Sequence, residues 1–283
     1  MPSVAEALFD VDGDQLVPTE FARGPWSPDA LHGGPVAALL ARAAESCAAP
    51  GSMHSARLSV ELLRPVPVAP LRLSASVSRP GRKVQLVDVR MTTAHDGQEV
   101  AWGRLLRIRA LGEDDPEAEG VPPALTVRST DEAQPPGPGA GRPMVSPGQV
   151  GEAPPPDGYR AFHSAGAELR FVRGAFERLG PSTVWVRLAV PVVPGEAPSP
   201  MQRAAAASDF GNGVSAEVAF GQFLFINPDL TVTLERPPVG EWVCLDARTA
   251  LGNPGVGVAQ SALWDELGPV GRAVQTLVVE RLA

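Results

Sequence analysis

Several chemistries are closed off by what the chain lacks. Its 283 residues include two cysteines, one tyrosine and a single lysine, Lys83. Cys47 and Cys244 lie far apart, outside any Cys-x-x-Cys or Cys/His spacing. That removes thiolate metal sites and redox pairs, and free thiols in a reducing compartment are expected in preference to a disulfide. The four histidines, His32, His54, His95 and His163, join no cysteine or acidic cluster with metal-ligand spacing. No Gly-x-Ser-x-Gly elbow is present, so nothing supports a serine hydrolase built on one. Lys and Arg number 24 against 32 Asp and Glu, a net charge of -8 with no basic cluster, which argues against a nucleic-acid partner. The longest apolar run, 35–49, is broken by Arg42 and Glu45 and is too short to span a bilayer. Residues 1–6 show no basic stretch leading into an apolar core, as a signal peptide would. The expectation is a cytoplasmic protein with no membrane span.

What remains is an ordinary soluble balance, 44% hydrophobic and 20% charged, over a length suited to two domains or one large one. Phe9 to Val17 predicts a hairpin turning at Asp12-Gly13. Its acids superficially match a calcium loop, but the glycine comes too early and no acid falls at the closing position, so no metal is expected. His32-Gly33-Gly34-Pro35 opens an alanine- and leucine-rich helix running to about Cys47. Pro35 suits the first turn, and the glycines let another group approach the exposed N–H groups. Such a start can hold a carbonyl oxygen or an anion, although a tight strand-to-helix turn needs the same small residues. Strands are predicted at 56–64, 71–78, 83–93 and 99–110, punctuated by turns such as Arg79-Pro80-Gly81 and Asp96-Gly97. Residues 112–160 shift to Pro, Gly, Ala and acids, and neither Pro135-Pro136-Gly137-Pro138-Gly139 nor Pro154-Pro155-Pro156 can join a sheet interior. That segment reads as a connector between units at 1–111 and 161–283. The second unit predicts strands at 167–173 and 183–191, an alanine-rich helix, then strands at 222–227, 230–236, 242–250, 257–265 and 272–281.

The two units are copies. Leu58-Ser59-Val60-Glu61-Leu62-Leu63-Arg64-Pro65 matches Leu230-Thr231-Val232-Thr233-Leu234-Glu235-Arg236-Pro237 at an offset of 230 − 58 = 172. Ala101 matches Ala273 and Arg109 matches Arg281 at the same offset. Each copy sets one alanine-rich helix before a run of antiparallel strands, an α+β pattern in which a sheet can curl round the helix.

The copies differ at two polar positions. The second helix, Ala204-Ala205-Ala206-Ala207-Ser208-Asp209, can be capped by Ser199 with Pro200 at its first position, and Gly211 and Gly213 are expected to end it. It has no polar face, so it belongs inside the fold, and Asp209 then needs a partner or a chemical role. Alternation along 272–281 places Gln275 with Ala273, Leu277 and Val279, where the first copy has Gly103. Inward-looking Asp209 and Gln275 fit a functional pair, and equally a buried pair that satisfies itself.

A His-Gly-Gly helix start followed by wrapping strands resembles the hot-dog fold. Two such units resemble the double hot-dog acyl-CoA thioesterases of the TesB-like, type II family over essentially the whole chain. The supporting motifs are Gly33-Gly34, Arg64-Pro65 with Arg236-Pro237, and the C-terminal Gln275. The resemblance implies hydrolysis of an acyl-CoA thioester without a cofactor, by a catalytic set of Asp209 after Ser208, Gln275, and a hydroxyl residue before the next strand. At that third position stands Asn227, with Thr231 nearby as an alternative contact. It also implies that Asp209 orients or deprotonates a water while Gln275 and Asn227 fix it. His32, Gly33 and Gly34 would line the pocket, with helix-start N–H groups available to an oxyanion. Related enzymes place an acid early in the first helix, but here none precedes Glu45, so the first copy reads as structural and substrate-lining. A hydratase would want an Asp–His pair in the second half and is set aside because His163 is the last histidine. The remaining alternative is a non-catalytic acyl-CoA or lipid-binding protein. A homo-oligomer, with a dimer the leading choice, is expected by analogy.

Overall fold

Proline and glycine punctuation separates the apolar runs of the first copy, and each run becomes a strand. A computed structural model describes residues 6–112, 134–143 and 160–282. The first copy holds β1 (Phe9–Asp12), β2 (Gln15–Pro18), α1 (Gly33–Glu45), β3 (Met53–Leu62), β4 (Leu71–Arg79), β5 (Val84–Thr93) and β6 (Glu99–Arg109). The second holds β7 (Arg142–Pro143), β8 (Ala167–Arg173), β9 (Ser182–Leu188), α2 (Pro200–Ser208), α3 (Gly211–Val214), β10 (Phe223–Ile226), β11 (Asp229–Leu234), β12 (Val243–Leu251), β13 (Val256–Asp265) and β14 (Gly268–Arg281). The first hairpin turns one residue later than expected, on Gly13-Asp14, where Gly13 takes φ 61°. No helix among the described residues is long and apolar enough to cross a membrane.

The strands form one sheet in the order β1-β2-β4-β5-β6-β3-β11-β14-β13-β12-β9-β8-β7, with β10 also paired to β14. The copies join where β3 meets β11 antiparallel, Glu61 opposite Asp229 and Arg57 opposite Thr233. Equivalent strands keep the offset: β4 and β12 start 243 − 71 = 172 residues apart, and β5 and β13 start 256 − 84 = 172 apart. The last strands slip by two residues in the ladder. Val60 faces Gly103, whereas its counterpart Val232 faces Ala273, leaving Gln275 one step further along the same face.

The two helices lie against one another in the core. Val36 to Ala41 of α1 and Ala204 to Ala206 of α2 are fully buried, so α1 is covered on all sides as its composition requires. Small side chains let the axes approach closely: a Cβ on Gly34 would stand 2.6 Å from Ala206 O. Buried Arg107 caps the far end of α1, donating to Ala44 O at 2.7 Å and Cys47 O at 2.9 Å, where a cation is favoured. Glu45 sits at that far end and accepts from Ser55 and Ser199 hydroxyls.

Residues 134–143 lie against the outer edge of the second copy. β7 pairs with β8, and Trp185 Nε1 donates to Pro136 O at 2.7 Å. Proline is tolerated there because an edge strand needs no second ladder partner. Pro154-Pro155-Pro156 lies outside the described residues.

Candidate active site

Two helix ends meet at one carboxylate. Ser199 Oγ accepts from Gln202 N–H at 3.1 Å to start α2, and Ser208 Oγ donates back to Ala204 O at 2.7 Å in its last turn. Asp209 follows as the C-cap, beside the negative end of α2, an unfavourable place for an anion. The first copy compensates by presenting the positive end of α1. A Cβ on Gly33 would lie 2.7 Å from both Asp209 carboxylate oxygens, so only glycine allows this approach. The helix start therefore holds Asp209 itself, and the expectation that it would hold a substrate oxyanion is corrected.

His32 is the partner that sequence reasoning placed only in the pocket lining. Its Nδ1 stands 2.8 Å from Asp209 Oδ2 and 3.1 Å from the Gly34 N–H. A carboxylate can only accept, so the shorter contact requires the proton on Nδ1, and the Gly34 N–H is then left to the carboxylate. Burial is the largest single influence and pushes the Asp209 carboxyl up, while the adjacent His32 charge pulls it down. Hydrogen bonds from His32, Asn227 and Gly34 act in the same direction, and the carboxyl is held below its usual 3.8. Asp209 is 5% exposed and ionised at neutral pH.

Asn227 and Gln275 complete the polar shell. Asn227 Nδ2 donates to Asp209 Oδ1 at 2.9 Å and to Asp229 O at 3.0 Å, which fixes its amide. Gln275 Nε2 reaches Asp209 O at 3.3 Å and Oδ1 at 3.4 Å, while its Oε1 accepts from Asn212 N–H at 3.1 Å. Gly211 is small because Gln275 occupies its side-chain space: a Cβ there would stand 2.7 Å from Oε1. Neither Gly211 nor Gly213 has positive φ, and the chain continues as α3, so they do not end the helix as expected.

Thr231 does not join this group. It lies on the ladder between Ser59 and Val274, on the face opposite buried Leu230 and Val232, and so points away from the helices. It lines no part of the cavity described next.

That cavity, about 510 Å³, opens beside Asp209. Its polar wall includes His32, Asp209, Asn212 and Asn227, and much of the rest is apolar and aromatic. Trp26 from the first copy meets Phe220 and Phe225 from the second, with ring centroids 4.6 and 5.0 Å away. The His32 ring is flanked by Phe162 at 5.0 Å and Phe210 at 4.8 Å. His163 also lines the cavity; burial, with the nearby His32 charge, pushes it down to about 4, so it is neutral near pH 7. The cavity is shared between copies, and the first copy is more than a lining half.

Residues 22–108 match the acyl-CoA thioesterase N-terminal domain, and residues 131–279 match the acyl-CoA thioesterase C-terminal domain. The chain belongs to the acyl-CoA thioesterase family. Among solved structures, a conserved hot dog fold protein of unknown function from Alicyclobacillus acidocaldarius superposes with TM-score 0.68 at 18% identity, covering 97% of this chain and 96% of that one. The tesB protein of Mycobacterium avium subsp. paratuberculosis gives TM-score 0.62 at 15% identity over 95% and 94% of the two chains. The acyl-CoA thioesterase II TesB2 of Mycobacterium marinum gives 0.60 at 15% identity over 97% and 94%. At these identities the likeness shows the fold, an α+β double hot dog. The sequence has no match among curated proteins.

Nothing in the sequence of this thioesterase-family chain marked His32 as the neighbour of Asp209. The two are 209 − 32 = 177 residues apart, and they meet only because the copies dock helix start to helix end. The ground for setting aside a hydratase is thereby removed, since an Asp–His pair forms across the copies.

Proposed function

We propose that the chain hydrolyses the thioester of an acyl-CoA to the free acid and CoA, with Asp209 assisting the attack of water. The observation that carries this reading is a buried, ionised carboxylate opening on an apolar cavity and held by fixed donors from both copies. Water oxygen bonds to the carbonyl carbon, the carbon–sulfur bond breaks, and the water proton passes through the Asp209 cluster to the departing sulfur. Positioned acid–base groups of this kind contribute about 10² to 10⁴ in rate. Asn227 and Gln275 hold the carboxylate so that it need not reorganise during the step.

The lining suits an acyl chain, each buried methylene of which adds about 0.8 kcal/mol of binding. Exposed Arg64 lies at the cavity edge without an ion-pair partner among the described residues, and it suits the phosphates of CoA.

A panel of acyl-CoA substrates of different chain length, followed by free-thiol release, tests the reading. Turnover of at least one substrate is expected. Tight binding without thiol release would instead favour a non-catalytic acyl-CoA-binding protein. Because an Asp–His pair also suits hydration chemistry, 2-enoyl-CoA consumption without thiol release would favour a hydratase.

A further inference from the structure

His32 Nδ1 is committed to Asp209 at 2.8 Å, and the ring is held between Phe162 and Phe210. Its other nitrogen, Nε2, has no hydrogen-bond partner among the described residues. It is not sealed away from solvent, and the residue lines the cavity. Asp209 is in the opposite situation. Oδ2 faces His32, Oδ1 faces Asn227 and Gln275, and the Gly34 N–H takes part as well. A carboxylate so fully occupied is a poor proton acceptor for a further water. An imidazole oriented through one nitrogen and open through the other is the arrangement of an activated base.

We propose that His32 Nε2 is the general base of the reaction and that Asp209 acts through it, as the group that fixes its tautomer and stabilises its charged form. This rests on the thioester-hydrolase reading above and sharpens it. With the proton of the neutral ring on Nδ1, Nε2 offers a lone pair to the cavity. As water oxygen bonds to the carbonyl carbon, its proton moves to Nε2, and the imidazolium lies 2.8 Å from the Asp209 carboxylate. When the carbon–sulfur bond breaks, the electron pair leaves with sulfur and the proton returns from Nε2 to it. The products are the acid and the thiol, with His32 neutral again. His163 adds no competing charge, because its burial keeps it neutral. The site is then split between the copies, with the base in the first and its orienting carboxylate in the second.

The test compares His32→Asn, His32→Ala and Asp209→Asn in the full-length chain, on the acyl-CoA that the wild type turns over best. His32→Asn can keep a donor toward Asp209 while removing Nε2, so it isolates the base from the hydrogen bond. A loss in kcat of about 100-fold or more is expected for His32→Asn. Added imidazole should restore part of the activity of His32→Ala and none of that of Asp209→Asn. Circular dichroism checks that each variant folds, and His32→Gln replaces either His32 variant that does not. His32→Asn within about threefold of wild-type kcat would overturn the assignment and return the base to Asp209, leaving the hydrolase reading intact. Wild-type protein that releases no thiol from any acyl-CoA would overturn both.

Discussion

The two copies use the same sequence spacings for opposite purposes. In the first, Arg64 is exposed at the cavity edge; in the second, its counterpart Arg236 is buried against Asp265, with Nη2 to Oδ1 at 2.6 Å. The difference traces to one position, since Asp265 corresponds to Thr93 at the same offset, 265 − 93 = 172, and Thr93 instead bonds Asp96. The closing strands diverge likewise. Gly103 packs against Leu40 of α1, whereas Gln275 reaches into the Asp209 cluster. Duplication supplied two equivalent scaffolds, and the second filled its inward positions with polar groups while the first kept a bare glycine helix start. Each copy is incomplete alone: the carboxylate needs the other's helix start and histidine.

The largest predicted contrast is in stability. Arg236→Leu strands a fully buried carboxylate and should cost about 3–5 kcal/mol, whereas Arg64→Leu should stay within about 0.5 kcal/mol. Urea midpoints of the two variants check this, and equal losses would break the comparison. The same ion pair sets an acid dependence. Burial raises the Asp265 carboxyl, but Arg236 and backbone donors bring it below its usual 3.8. A lowered folded value means that its stabilisation is present above that value and is lost as pH falls through the lower, folded one. Wild-type stability from this group should hold down to about pH 4 and fall only below it.

Next in size are the glycines. Gly33→Ala drives a methyl into the Asp209 carboxylate and should lower kcat/KM about 100-fold, near 2.7 kcal/mol of barrier. In the first-copy sheet, a Cβ on Gly103 would meet Leu40 Cβ at 3.3 Å, so Gly103→Ala should cost about 1 kcal/mol or less with kinetics unchanged. Thiol-release kinetics and melting of both variants separate the two positions. Gln275→Ala should give a smaller kinetic effect than Gly33→Ala, about tenfold in kcat, with about 1–2 kcal/mol lost in stability, because it leaves the Asn212 N–H buried and unpaired. Unchanged kinetics with lowered stability would make Gln275 a structural residue.

Much of this was legible in the sequence wherever the signal was local or periodic. Apolar runs and turn residues anticipate strand bounds to within a few residues, and Ser199-Pro200 marks the start of α2 because capping chemistry is local. Asp209 and Gln275 stood out as polar residues in apolar patterns, and they do meet. Gly211 looks like a terminator because it follows a helix, but the space it leaves is filled from β14. Thr231 lies close to Asn227 in sequence, but strand alternation turns its side chain to the outer face. The His32–Asp209 contact was out of reach, because it depends on how two separately patterned copies dock. Its one local trace was a histidine set directly before two glycines at a helix start.

The central claim is that Asp209, a carboxylate of the second copy held by the helix start of the first, is indispensable to thioester hydrolysis. Steady-state thiol release by Asp209→Asn tests it most directly, since the amide keeps the size of the side chain and removes the charge. The account predicts that kcat/KM falls about 10³-fold or more in a folded protein. Near wild-type turnover across acyl chain lengths would contradict it.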